Sequence, residues 1–141
     1  MSEEQAQQLM QQMQMLETYF ADLSQREVTL IGVLRESIAA IESIKSLKLK
    51  PTSDALVPIG MGTYVQTKIS ATDKIVLNIG SGIAVEKNSD SAINYLEAKI
   101  KEIEVALNDV TSRKQEVVAR LEHGKDKMNQ LMEASSQNIS G

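Results

Sequence analysis

Two runs of seven-residue hydrophobic repeat flank a centre whose period is two, and this order restricts the chain more than any other feature. In the first run, Leu9, Leu16, Leu23 and Leu30 recur every seven residues, and Ile44 rejoins the series after Ser37. Four residues on, Met13, Phe20, Glu27, Leu34 and Ile41 supply the second position of the same heptad. In the third segment, Ile93, Leu96, Ile100, Ile103, Leu107, Val110, Lys114, Val117, Leu121, Gly124, Met128 and Leu131 alternate steps of three and four. Ten of those twelve are apolar, so the segment reads as one long a/d seam with Lys114 and Gly124 weakening it. Glu27 and Ser37 are the polar faults of the first run, and local looseness accounts for Gly124. Each arm holds about 40 residues, hence about 60 Å of helix. Folded antiparallel, they set Ile44 level with Leu96 and Leu9 level with Leu131.

The helix limits are marked by local chemistry. Ser2-Glu3-Glu4-Gln5 forms a candidate capping box. Lys45, Lys48 and Lys50 before Pro51 make a basic last turn and a stop. Ser89, Asp90 or Ser91 can cap the second helix.

Between the arms, Val65, Thr67 and Ile69 alternate with Tyr64, Gln66 and Lys68, Ile75, Leu77 and Ile79 with Lys74, Val76 and Asn78, and Ile83 and Val85 with Ala84 and Glu86. Leu56 to Ile59, including Val57, is a shorter candidate strand that Pro58 places at an edge or an end. Ser70-Ala71-Thr72-Asp73 joins the second and third strands, giving two hairpins in tandem and a four-stranded sheet. The fold class is therefore α+β, with a long antiparallel two-helix coiled coil joined by two central hairpins. Its expected divisions are 1–50, 51–88 and 89–134, with a flexible tail at 135–141 that includes Ile139.

Two glycine pairs, Gly60 with Gly62 and Gly80 with Gly82, raise the question of a phosphate cradle. A dinucleotide fingerprint needs a third glycine and a helix starting at the turn. Here a β-patterned run follows each pair, and no Gly-Lys-Ser/Thr sequence exists. The glycines suit tight hairpin turns, with Gly80-Ser81 or Ser81-Gly82 in the central positions. Strands flanked only by projecting arms leave edges and an apolar face uncovered, which calls for pairing with other chains into a barrel. Val57, Ile59, Val65, Ile69, Ile75, Leu77, Ile79, Ile83 and Val85 are the candidate assembly residues.

Catalysis finds little support. His123 is the lone histidine, with Glu122 and Asp126 beside it on a helix, and reads as a solvated side chain. Cysteine is absent, which removes disulfides, thiol catalysis and cysteine-based zinc sites. A net charge of −4 without a basic face argues against nucleic acid. No apolar run reaches the roughly 20 residues of a membrane span, and the N-terminus has no signal-peptide layout. A soluble cytoplasmic protein is expected, with no enzymatic activity, no metal and no cofactor.

The run Leu56-Val57-Pro58-Ile59-Gly60, the strand carrying Tyr64, and the hairpin from Ile79-Gly80-Ser81-Gly82 to Lys87 resemble the alpha-type subunits of archaeal prefoldin. Two hairpins rather than one mark the alpha type. The resemblance implies a hexamer of two alpha and four beta subunits whose strands build a double β-barrel platform. It also implies capture of unfolded client proteins at the coil tips and their transfer to a group II chaperonin without ATP hydrolysis. Such capture needs apolar, adaptable surface, and five of the seven methionines fall near the arm ends. The candidate client-binding residues are Leu9, Met10, Met13, Met15, Leu16, Met128, Leu131 and Met132. Of these, Met10, Met15 and Met132 lie outside the seam. The competing expectation is a structural coiled-coil scaffold or tether whose β centre only oligomerises.

Overall fold

The computed structural model describes the backbone of residues 3–140 and the side chains of residues 3–136. Helix α1 spans Glu3–Leu47 and helix α2 spans Ser89–Ser140. Between them lie β1 (Thr52–Gly60), β2 (Thr63–Ser70), β3 (Ile75–Gly80) and β4 (Ile83–Lys87). The helical backbone of α2 thus extends past 134 into the stretch expected as a tail, while the side chain of Ile139 lies outside the described residues. The candidate capping box also involves Ser2, which lies outside them. Contacts divide the chain into a terminal unit, α1 up to Ile31 with α2 from Val105, and a hairpin unit running Gly32–Glu104.

In the terminal unit, Leu23, Val110 and Val117 are buried, and Leu16, Phe20, Leu30 and Leu121 pack against them. These are seam positions of both heptad series, so the repeat and the core coincide. Neither polar fault in this unit is a defect. Lys114 Nζ lies 3.2 Å from Glu27 Oε1 and 5.0 Å from the centroid of the Phe20 ring. The two charges that looked like separate interruptions therefore satisfy one another in a half-buried layer. Gly124 is likewise not a loose point. It is buried, and a Cβ placed there would come within 3.1 Å of Met13 Cγ. The missing side chain is what lets Met13 lie against α2.

In the hairpin unit, Ile44, Leu77 and Ala92 form a buried cluster, flanked by Ile75, Ile93, Tyr95 and Leu96. Ile44 and Leu96 thus share one cluster, as the antiparallel register requires. Ser37 returns its hydroxyl to the Val33 carbonyl at 2.8 Å, which satisfies it within its own helix.

The strands form two separate two-stranded antiparallel sheets, β1–β2 and β3–β4, and not the single four-stranded sheet expected from the alternation. The link between hairpins folds on itself: the Ser70 amide donates to Asp73 Oδ2 at 2.6 Å, and the Asp73 amide to the Ser70 carbonyl at 3.0 Å. The Ala71 amide donates to the Pro51 carbonyl at 2.9 Å, so the chain leaving β2 is tied to the start of β1. Strand β1 is also longer than the Leu56–Ile59 core of the expectation, because Thr52 to Ala55 pair with Ser70 to Thr67.

Both hairpins close with a two-residue turn in the left-handed region. Met61 and Gly62 have φ of 48° and 72°, and Ser81 and Gly82 have 54° and 74°. Positive φ at both central positions is the primed turn that matches strand twist. Gly60 and Gly80, at φ 119° and 102°, take up a register shift at the end of β1 and of β3. All four glycines turn or bend hairpins.

The cap of α2 lies one residue earlier than Ser89, Asp90 or Ser91. Asn88 Oδ1 accepts from the Ser91 amide at 2.8 Å, and its carbonyl accepts the first helical bond from Ala92. β4 ends at Lys87, so Asn88 is the residue that still has freedom to take the capping conformation. Asn88→Ala is expected to destabilise by about 1 kcal/mol and Asn88→Gly by a few tenths, measured as shifts in urea midpoint. No loss from either variant would mean that the side-chain cap contributes nothing.

Candidate client-binding groove and assembly surface

The terminal unit carries an open groove of about 660 Å³ alongside its seam. Half-buried Leu9, Met13 and Leu16 from α1 and buried Gly124 from α2 form its base. Exposed Met15 and Tyr19 rise on the α1 side, and Ala119, Arg120, His123 and Lys127 on the α2 side. Tyr19 is held at one end, because Arg113 donates to its hydroxyl at 3.3 Å and pairs with Asp109 at 3.1 Å. The Tyr19 hydrogen bond and then the Asp109 charge keep the Arg113 guanidinium above its ordinary pKa.

The groove exists for a sequence reason. Glycine in a seam position removes one side chain from the wall, and the unbranched chain of Met13 lies against the space it leaves. Unbranched thioether chains also re-pack readily around different shapes.

The candidate client residues distribute unevenly. Leu9, Met13, Met15 and Leu16 meet in the groove just described. Met10, Met13 and Met128 border a second, smaller groove of about 390 Å³, and Leu9 and Leu131 share a third. Met132 lines none of them but is 66% exposed. Met10 and Met15, the other methionines placed outside the seam, are 52% and 73% exposed. Tyr19, Arg120 and Lys127 are among the groove residues that heptad reasoning passes over. Their off-seam positions carry no apolar signal.

The candidate assembly residues divide into two sets. Leu77 is buried, and Ile69, Ile75 and Val85 are half-buried. Val57, Ile59, Val65, Ile79 and Ile83 are exposed, together with Leu56, Tyr64 and Val76 from the other face of their strands. Strands this apolar with both edges open are unstable surfaces in water unless covered.

A family model described as "Prefoldin subunit" matches residues 2–134. This chain belongs to the prefoldin subunit family. It is 68% identical over 137 residues to a prefoldin subunit alpha of Nitrosopumilus maritimus, covering 97% of this chain and 94% of the relative. A prefoldin subunit alpha of Methanoregula boonei is 32% identical over 77% of this chain and 80% of its own. These relatives place the chain with the alpha-type subunits. The fold agrees with solved prefoldin structures. A prefoldin beta subunit from Thermococcus strain KS-1 matches with a TM-score of 0.64 at 20% identity, covering 90% of this chain and 91% of its own. A chain of filamentous prefoldin from Methanocaldococcus jannaschii matches with a TM-score of 0.54 at 24% identity, covering 89% and 99%. The prefoldin fold of two long helices with β-hairpins between them is therefore the frame in which groove and strands act.

Among the described residues no helix is long and apolar enough to cross a membrane, and no group of three or more His, Cys, Asp or Glu is placed to hold a metal.

Proposed function

We propose that this prefoldin chaperone subunit captures non-native polypeptides with the apolar surface of its terminal unit and passes them to a group II chaperonin without hydrolysing ATP. Its exposed strands then join those of beta-type subunits, in a hexamer of two alpha and four beta chains working in the cytoplasm. The observation that carries the client reading is the groove formed by Leu9, Met13, Met15 and Leu16 against Gly124. An unfolded chain offers apolar side chains in no fixed order, and a flexible methionine-lined surface binds such mixtures without demanding one shape.

The test uses the full chain assembled with a beta-type subunit. Met10→Gln, Met15→Gln and Met132→Gln combined change only exposed side chains, so assembled mass and helix content should stay at the wild-type value. Suppression of light scattering by a chemically denatured client should fall several-fold. Undiminished suppression would remove these methionines from the client site. A wild-type complex that assembles yet protects no client would instead favour the scaffold reading.

A further inference from the structure

The client groove is not electrically neutral. Arg120 and Lys127 stand along its α2 side, and no carboxylate is among the residues that line it. Among the described residues neither cation has an ion-pair partner, a state they share with every Lys and Arg other than Lys48, Lys99, Arg113 and Lys114. The two cations thus line an apolar cleft that has no carboxylate in its wall, in a chain whose net charge is −4. Seven residues separate them, two helical turns or about 10 Å. An extended peptide covers that distance in about three residues.

We infer that the groove selects short apolar peptide segments flanked by carboxylates, with Met13 and Met15 meeting the apolar side chains and Arg120 and Lys127 the acidic ones. The inference rests on the client-capture reading, since it names the chemistry of that site's substrate. Its physical basis is complementarity. Desolvating the apolar centre drives binding, and opposite charges at the rim decide which flanks are accepted. Clients with basic flanks meet like charge and are disfavoured.

Two fluorescein-labelled peptides with the same Leu-Phe-Leu centre serve as probes, one with paired aspartates on both flanks and one with paired lysines. Anisotropy titrations against the full assembled chain at low salt should show the acidic peptide binding about fivefold to tenfold more tightly, the effect of two exposed ion pairs. The preference should shrink sharply in 0.5 M salt, where exposed charges are screened. Arg120→Glu with Lys127→Glu, both exposed and outside the seam, should reverse the order of the peptides while helix content holds. Met15→Gln should weaken both peptides together, because it removes an exposed apolar contact of the groove without touching the seam. Equal affinity for the two peptides, absence of binding, or an unchanged order in the double variant would each overturn the inference. Client protection separates the two readings. Protection without charge preference leaves capture standing and removes the selectivity, and charge preference without protection does the reverse.

Discussion

With Val57→Asp and Val65→Asp introduced together, the chain is expected to remain helical and to stop assembling. Val57 and Val65 are register partners across β1 and β2, both about half exposed. Two aspartates facing each other weaken the hairpin, since like charges directly opposite destabilise a strand pair. The larger effect falls on association. Each carboxylate would enter a contact between chains without a partner, and the desolvation cost is several kcal/mol per ion. At about 1.4 kcal/mol per decade, assembly with a beta-type subunit should weaken by more than a thousandfold. Native mass measurement reads the loss, and circular dichroism reads the helices. The core of Leu23, Val110 and Val117 lies in the other unit and is untouched. A variant that still assembles at wild-type concentrations would show that the β1–β2 hairpin is not an assembly surface.

The order of helix, hairpins and helix was readable from the order of hydrophobic periods, because a seven-residue repeat and a two-residue repeat demand different backbones. Every seam position named on α2, from Ile93 to Leu131, is buried or half-buried. The primed turns followed from glycines that tolerate positive φ. Three things stayed hidden, each for a physical reason. Alternation tells which face of a strand is apolar but not which strand lies beside it, so two separate sheets looked like one. Within its own helix, each of Glu27 and Lys114 is a lone polar residue in an apolar seam, and its partner lies on the other helix. The register that sets Ile44 with Leu96 already puts Glu27 opposite residue 113, one position from Lys114. Finally, the groove is a space defined by an absent side chain at Gly124 and by the reach of Met13 across the seam, and linear spacing carries no volume. Arg120 and Lys127 gain meaning only beside that space.

Lys114→Glu is expected to cost about 3 kcal/mol of stability, most of it from two carboxylates facing each other in a layer where Glu27 and Lys114 are only 27% and 21% exposed. Half-burial also limits screening, so added salt should recover little of the loss. The reciprocal variant, Glu27→Lys with Lys114→Glu, separates the two roles of Lys114. It restores an ion pair of the same charge product, and a double-mutant cycle in urea should show strong positive coupling. It does not restore the contact with Phe20, because a glutamate at 114 brings no cation over that ring. The swapped chain should therefore stay about 1 kcal/mol below the natural one, the size of a partly desolvated cation–π contact. Leu at both positions gives the third reading. If the layer is retained for alignment rather than for stability, the all-apolar seam should be as stable as the natural chain or more so. Loss of less than about 0.5 kcal/mol in Lys114→Glu would mean that the pair is solvated and the seam indifferent to it.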